Sequence, residues 1–235
     1  MEFAYALRTL QSAQKGKRGV SLYSRWVNRP LGRLLAAAAA AAGIGPNAVT
    51  ALSAVVTGAG LVVLAVAPVS PATGLIAAAL LVLGFALDSA DGQVARLTGR
   101  SSPAGEWLDH VVDAGKMVAL HAAVLIGLWR EGSAPDVWLL IPLAYALVAV
   151  VLFAGGTLYS LLAPPATGSA TTPSTLRSVA LLPADYGVLA LSFVLWGMPT
   201  AFLAVYTLLL VATTAISAGL LVKWFRSLAV APAAR

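Results

Sequence analysis

Charged residues are scarce in this sequence. They make up 10% of its 235 residues, and the mean hydropathy is +0.88. Soluble domains carry about 25% charged residues. A water-soluble fold of this composition would have too few polar side chains to cover its surface, so the composition predicts a polytopic membrane protein. Cysteine is absent, which excludes disulfides and thiolate metal sites.

Two further features are missing. No dense face of Lys and Arg interleaved with aromatic residues is present, so the net charge of +6 does not indicate nucleic-acid binding and fits interaction with anionic membrane lipids. The first 19 residues have no continuous apolar core and no small-residue cleavage site, so no signal peptide is expected there.

Six apolar stretches are long enough to cross a bilayer as helices, which takes about 20 residues each. Turn-rich breaks separate them, and the longest, residues 164–177, is predicted to be a loop. The predicted fold is therefore all-α, a polytopic membrane bundle of six transmembrane helices. The predicted spans are residues 47–67, 72–95, 105–129, 137–162, 178–197 and 200–224.

The positive charges indicate how this bundle is oriented. With six spans, 13 Lys and Arg residues fall on the side of the termini, whereas the opposite side keeps only Arg130 and the third span contains Lys116. Because positive residues mark the cytoplasmic side, both termini are predicted to be cytoplasmic. The Ala- and Val-rich composition is typical of a GC-rich bacterial genome, so a bacterial plasma membrane is the expected location.

Residues 19–43 precede the first span and combine Tyr23, Trp26 and spaced arginines with an alanine-rich run. This pattern favours an amphipathic helix at the membrane interface, while an additional short span is the alternative. Asn47 is a plausible cap of the first span. The predicted division is an N-terminal segment with its interfacial helix (1–46), a six-helix domain (47–226) and a cytoplasmic tail (227–235).

The few acidic residues are concentrated in one window. Five of the nine lie between residues 88 and 113: Asp88, Asp91, Glu106, Asp109 and Asp113. Spacings of three and four residues place each aspartate pair on one helix face. One pair ends the second span and the other begins the third, so we expect antiparallel neighbouring helices whose carboxylates face one another.

Four unpaired carboxylates in an apolar bundle would be costly, at about 3 kcal/mol for one Asp at the bilayer centre. A positive partner is therefore expected. Hard divalent cations prefer carboxylate oxygens, and four aspartates could hold two ions in a geometry suited to phosphoryl transfer. The alternative is that the aspartates cap helices or pair with Arg96, Arg100 and Lys116. Capping does not explain two helically phased pairs.

The same window resembles a known family. The pattern D-x2-D-G-x2-A-R-x8-G-x3-D-x3-D is the signature of the CDP-alcohol phosphotransferases, and this sequence keeps each fixed position and spacing. The fixed residues are Asp88, Asp91, Gly92, Ala95, Arg96, Gly105, Asp109 and Asp113. The six-span plan with an interfacial helix is also similar to the family, loosely from residue 20 to residue 226.

The resemblance implies a membrane enzyme that takes a CDP-linked donor, usually CDP-diacylglycerol, transfers a substituted phosphate to an acceptor hydroxyl and releases CMP. It implies that Asp88, Asp91 and Asp109 bind Mg²⁺ or Mn²⁺, with two ions expected. Asp113 would be the general base and would also touch the second ion. Gly92, Ala95 and Arg96 would line the nucleotide site, helped by Asn47 and Thr50, and Gly105 would allow close helix packing. A homodimer is also implied.

The acceptor is less well indicated. Relatives that use inositol phosphate carry basic residues on later helices, whereas the fourth span here has none. A small alcohol or polyol phosphate is expected, and the candidate acceptor residues are Lys116, Arg177 and Asp185. Arg177 has an alternative role as a positive-inside anchor, and Asp185 has one as a helix cap. His121 is expected to be a packed core histidine.

Two other functions stay open from the sequence. A soluble CDP-alcohol could be the donor and a lipid or polyol phosphate the acceptor. A cation transporter is the alternative from another class, but transporters hold such sites near the bilayer midplane, whereas these aspartates lie near predicted cytoplasmic helix ends.

Overall fold

The computed structural model describes residues 2–12, 20–132, 135–163 and 174–230, and all regular structure in these ranges is helical. Five helices are long and apolar enough to cross a membrane. The prediction of an all-α polytopic bundle is confirmed. The five are α3 (Pro46–Val66), α4 (Pro71–Thr98), α5 (Pro103–Arg130), α6 (Leu140–Leu162, preceded by a 3-10 turn at Asp136–Leu139) and α9 (Pro199–Ala229).

Proline and serine set where the helices of the acidic window begin. Pro71 and Pro103 occupy the first helical turn, where a missing N–H costs nothing. The preceding serines cap these helices, because Ser70 accepts a hydrogen bond from the Thr73 N–H and Ser102 accepts one from the Gly105 N–H. Between the two helices, α4 ends at Gly99 with φ +66°, a conformation that glycine adopts without strain.

The N-terminal segment forms two helices that lie against the end of α4. They are α1 (Phe3–Ser12) and α2 (Arg29–Ala41), and a π-helical turn at Ser24–Asn28 precedes α2. A small apolar core joins them to the bundle, built from Ala6, Leu10, Ala36, Ala37, Val49, Leu87, Ala90 and Val94. The predicted helix within residues 19–43 is present. The additional helix α1 is amphipathic and was not predicted.

The fifth predicted span, residues 178–197, is a series of short helices rather than one long one. They comprise α7 (Thr175–Ala180), a 3-10 turn at Leu182–Ala184 and an apolar segment at Tyr186–Leu195 that begins with α8 (Tyr186–Ser192). The break arises because Pro183 cannot continue a helical hydrogen-bond ladder and Asp185 caps a new helix. The count of six spans is therefore approximate.

Helix α3 is the element on which both acidic helices pack. Helices α4 and α5 each lie along α3, but their backbones make almost no close approach to each other, unlike the predicted pair of packed neighbours. A core centred on Trp196, Phe202 and Tyr206 holds the opposite half of the bundle together. Most of the predicted 164–177 loop and the end of the predicted tail, at 164–173 and 231–235, lie outside the described residues.

Candidate active site

Three aspartates from two helices converge near the α4–α5 connection. Asp88 and Asp91 extend from the last three turns of α4, and Asp109 from the second turn of α5. One carboxylate oxygen from each lies within 4.8 Å of the others. Helical phasing therefore brings the side chains together, even though the two helices are held apart and pack mainly on α3.

Asp113 lies one turn further along α5 and has a different partner. The Lys116 ammonium lies 3.2 Å from Asp113 Oδ1, 2.5 Å from Asp88 Oδ1 and 3.0 Å from the Ser53 hydroxyl. An ammonium has three protons to donate, and each has an acceptor here. Lys116 was predicted as an acceptor-site candidate, with ion pairing as the alternative. The structure places its charge between Asp88 and Asp113.

The donor set of the three converging aspartates fits a hard divalent cation. All three side chains offer carboxylate oxygens, the ligands that Mg²⁺ and Mn²⁺ prefer, and Asp91 is buried. Mg²⁺ bound to carboxylates usually keeps positions for water and substrate phosphates. The triad Asp88, Asp91 and Asp109 therefore suits one ion that also contacts a phosphate.

The residues predicted to bind the nucleotide line one cavity, which we call the polar cavity. Its volume is about 480 Å³, and Asp91 and Asp109 form the part of its wall that belongs to the metal-binding triad. All five predicted nucleotide residues are in the wall: Asn47, Thr50, Gly92, Ala95 and Arg96. Residues from α3, α4 and α5 that are up to 64 positions apart in sequence (110 − 46) thus share one site.

Several contacts shape the polar cavity. The Thr50 hydroxyl donates a hydrogen bond of 2.7 Å to Asp91 Oδ2. A Cβ at Gly105 would lie 3.0 Å from Asn47 Oδ1, so glycine at this position lets α3 and α5 approach closely. Asn47 does not cap α3, because Pro46 takes the first helical position and Gly45 is the N-cap.

Several arginine side chains lie at one edge of the polar cavity. The Arg96 Nε is buried and has no hydrogen-bond partner among the described residues, and Arg100 also lines the wall. Burial, and then repulsion by the Arg96 guanidinium, lowers the pKa of Arg29, which α2 places nearby. A buried Nε–H without an acceptor is costly. This edge therefore suits a ligand with anionic oxygens.

The residues of the polar cavity that were not predicted as site residues include Arg100, Ser102, Glu106 and His110. They belong to the α4–α5 connection or the first two turns of α5. In the sequence, only their position could have indicated these residues as part of the site, because a short connection between two motif helices must pass beside the motif. His110 also makes an edge contact with Phe153, at 6.2 Å between ring centroids.

The other two acceptor candidates lie apart from the aspartate triad. Arg177 is exposed on α7. Asp185 is buried, caps α8 through the Gly187 N–H at 2.7 Å, and accepts hydrogen bonds from the hydroxyls of Ser21 and Ser24. These bonds fasten the N-terminal segment to α8. Burial, with a smaller contribution from the Asp185 charge, raises the pKa of the Tyr23 hydroxyl beside it.

A second cavity, which we call the apolar cavity, lies among α5, α6, α8 and α9. Its volume is about 220 Å³, and its wall includes Met117, His121, Tyr145, Phe153, Tyr186 and Thr213. His121 is 2% exposed, is hydrogen-bonded to the Tyr206 hydroxyl and stacks on Tyr145 at 4.4 Å. His121 is thus packed in the core as predicted, and it also contributes to the wall.

Comparison with known protein families agrees with this geometry. The family model described as CDP-alcohol phosphatidyltransferase matches residues 44–225, which is most of the chain and includes every residue that lines the two cavities. No curated protein matches the chain.

Proposed function

Because the chain belongs to the CDP-alcohol phosphatidyltransferase family, we propose that it transfers a phosphatidyl group from CDP-diacylglycerol to an alcohol and releases CMP, as a step of phospholipid synthesis. The observation that carries this proposal is the convergence of three aspartates beside a cavity whose wall includes Arg96, with a buried Nε that has no hydrogen-bond partner among the described residues. Anionic diphosphate and divalent cation are complementary to these two features.

The donor's cytidine diphosphate would lie in the polar cavity. Arg96 would pair with phosphate oxygens, since a guanidinium recognises phosphate through charge-assisted hydrogen bonds. Gly92 and Ala95 would leave room for the nucleotide beside α4, and Asn47 and Thr50 would contact it from α3. The volume of about 480 Å³ is in the range of ordinary ligand sites.

Asp88, Asp91 and Asp109 would hold the ion, Mg²⁺ or Mn²⁺, whose charge stabilises the diphosphate and the departing CMP. The proposal includes a second ion shared by Asp88 and Asp113. Binding it requires Lys116 to leave its position between these two carboxylates. Lys116 therefore bears directly on how many ions the site holds.

Asp113 would be the general base. Its carboxylate accepts the proton of the acceptor hydroxyl as the acceptor oxygen forms a bond to the phosphorus that carries the diacylglycerol group. The bond between this phosphorus and the bridging oxygen breaks, and the electron pair leaves with CMP. Lys116, 3.2 Å from Asp113 Oδ1, orients the carboxylate before the acceptor arrives.

The proposal is tested with purified protein, labelled CDP-diacylglycerol, Mg²⁺ and a panel of alcohols. We expect CMP release that EDTA stops. Asp113→Asn should lower the rate by about 10²–10⁴-fold, the usual contribution of a positioned base. The matched control is Asp136→Asn, an exposed aspartate at the start of the 3-10 turn before α6. Full activity of Asp113→Asn would contradict the base assignment.

A donor swap in the same assay distinguishes the second candidate function. If the donor is a soluble CDP-alcohol and the acceptor a lipid, CDP-choline with diacylglycerol should release CMP and CDP-diacylglycerol should not. Cation flux into liposomes without CMP release would instead support transport. The apolar cavity favours a bound aliphatic group of some kind, but it does not choose between the two donors.

Orientation and assembly complete the proposal. We expect a homodimer in a bacterial plasma membrane, with the polar cavity open to the cytoplasm. A membrane-impermeant thiol reagent tests the orientation after Ser101→Cys, because the chain has no native cysteine and Ser101 is exposed at the wall of the polar cavity. Labelling in inside-out vesicles and none in right-side-out vesicles is the expected result.

A further inference from the structure

Along α5, the wall of the apolar cavity begins with Met117, one turn after the proposed base Asp113, whereas the wall of the polar cavity ends with His110 before it. On α5, Met117 and His121 follow Asp113 at intervals of four residues, so all three lie on one helix face. Tyr186 lines the apolar cavity and is close enough to Asp88 and Asp113 to feel their charges. The polar cavity meets the same acidic group through Asp91 and Asp109. On α5, Asp113 therefore lies between the wall residues of the two cavities.

The walls of the two cavities differ in charge. Among the described residues, neither Lys nor Arg lines the apolar cavity, and its one formal charge, Asp185, has its oxygens occupied by Ser21, Ser24 and the Gly187 N–H. A phosphate in this cavity would be desolvated with no cation beside it, which is strongly unfavourable. The cavity therefore suits an uncharged ligand with an aliphatic part.

No candidate cation is placed to change this conclusion. Lys116 already donates to Asp88, Asp113 and Ser53, and it does not line the apolar cavity. Arg177 and Lys223 are exposed on α7 and α9. A polyol phosphate, one of the acceptors expected from the family resemblance, would therefore meet no Lys or Arg of the described part of the chain in the wall of the apolar cavity.

One polar group at the cavity wall is available to a hydroxyl ligand. The Tyr186 hydroxyl is buried and lies near Thr57, but it makes no hydrogen bond of normal geometry with any described residue. Buried hydroxyls without a partner are rare in folded proteins. An acceptor alcohol beside Tyr186 would satisfy this group and would bring its own hydroxyl next to Asp113.

We propose that the apolar cavity binds the acceptor, and that the acceptor is an uncharged lipid alcohol whose aliphatic part lies among α5, α6 and α9. Tyr186 positions its hydroxyl for Asp113. This inference rests on the proposed transfer reaction, whose acceptor it narrows, and it holds for either donor. Phosphorylated polyols fit this cavity poorly, because no Lys or Arg among the described residues lines it.

Photolabelling tests ligand binding without requiring turnover. A diacylglycerol with a diazirine in its acyl chain is irradiated with the purified protein, and labelled peptides are identified by mass spectrometry. We expect labels on α5 and α6 around Met117 and Phe153, removed by excess dioctanoylglycerol and retained with excess glycerol 3-phosphate. Labels confined to lipid-exposed faces, or equal competition by both compounds, would overturn the inference.

A cavity-filling variant with a matched control adds a kinetic test. Ala149 lines the apolar cavity, whereas Ala144 on the same helix is exposed. Ala149→Leu should lower labelling and reduce kcat/KM for dioctanoylglycerol roughly tenfold or more, since a single methylene in an apolar pocket changes it about 10–200-fold. Ala144→Leu should change neither. Equal effects of the two substitutions would contradict the assignment.

The outcomes separate this inference from the reaction on which it rests. CMP release with glycerol 3-phosphate or inositol phosphate, and none with dioctanoylglycerol, would refute the acceptor class and support the transfer reaction. Competed labelling at the cavity with no CMP release from any donor and acceptor would refute the transfer reaction and support the ligand class. A Tyr186→Phe variant should raise KM for dioctanoylglycerol more than it lowers kcat, which a purely structural role would not do.

Discussion

Removing the Lys116 charge should destabilise the protein most when no divalent ion is present. Lys116→Met keeps an unbranched side chain of similar length but leaves Asp88 and Asp113 facing each other without a cation. The three side chains are 10%, 19% and 22% exposed, so the ion pairs are largely buried. Breaking a buried pair by removing one partner costs about 3–5 kcal/mol. Because both acids are partly exposed, we expect the loss in free energy of unfolding to lie at the low end of this range, at about 3 kcal/mol.

Thermal unfolding in detergent measures this effect. For a chain of this size about 1 kcal/mol corresponds to 2–4 °C, so Lys116→Met should lower Tm by roughly 6–12 °C in EDTA. Saturating Mg²⁺ should raise Tm more in the variant than in the unaltered protein, because the proposed second ion, held by Asp88 and Asp113, would replace the lost charge. This differential shift is the result specific to the proposed ion site.

Lys223→Met is the matched control, since Lys223 is exposed near the end of α9. Its Tm should stay within about 2 °C of the unaltered protein, as for ordinary surface substitutions. If Lys116→Met and Lys223→Met unfold at the same temperature in EDTA, Lys116 does not compensate the acids. If Mg²⁺ shifts both proteins equally, no ion takes the place of the ammonium.

Two further predictions concern the packing that supports the site. A Cβ at Gly84 would overlap the Thr57 hydroxyl and lie 3.1 Å from the Thr57 backbone nitrogen, so Gly84→Ala should lower the free energy of unfolding by about 1–3 kcal/mol. The control Gly115→Ala, whose Cβ would lie in open space, should not lower it. Equal stability of the two variants would contradict the close contact between α3 and α4. Asp185→Ala should increase the rate of amide hydrogen exchange across residues 20–28. Asp185→Asn should have a smaller effect, because the amide oxygen can still accept a hydrogen bond from the Gly187 N–H. Unchanged exchange in Asp185→Ala would show that this carboxylate does not hold the N-terminal segment.

The long helices could be predicted from sequence because apolar length is a local property. Each of the five observed spans overlaps its predicted range, and Pro and Ser mark where several begin. The fifth predicted span differed because hydropathy averages over a window and takes no account of a capping aspartate or a proline within it. Pro183 and Asp185 interrupt a stretch that is apolar throughout.

The part of the candidate site that could be predicted is the part in which helical spacing alone places the side chains on one face of a helix. The spacing of Asp88 and Asp91 was enough to place them on one face of α4, and the motif indicated Arg96 and Gly92. Lys116 was recognised only as one possible cation, because its partner Asp88 is 28 residues away and on another helix. Contacts of this range depend on how the helices pack on α3.

The apolar cavity could not be predicted, because its wall comes from four separate parts of the chain. His121 on α5 and Thr213 on α9 share it with residues of α6 and α8. Each of these residues looks like ordinary core when its own helix is considered alone. Only the tertiary arrangement shows that these residues leave a cavity near the acids. The apolar wall of this cavity is the observation on which the proposed acceptor class rests.

The lengths of the two acidic helices determine where in the membrane the chemistry takes place. Asp91 lies 20 residues (91 − 71) after the first residue of α4, and Asp109 lies 21 residues (130 − 109) before the last residue of α5. At 1.5 Å per residue both carboxylates are about 30 Å from the far ends of their helices, which equals the thickness of the hydrocarbon core, about 30 Å. A bundle that crosses the membrane over this length would hold the acids level with the lipid headgroups, where the proposed lipid diphosphate, metal ion and membrane alcohol would meet without any of them crossing the bilayer.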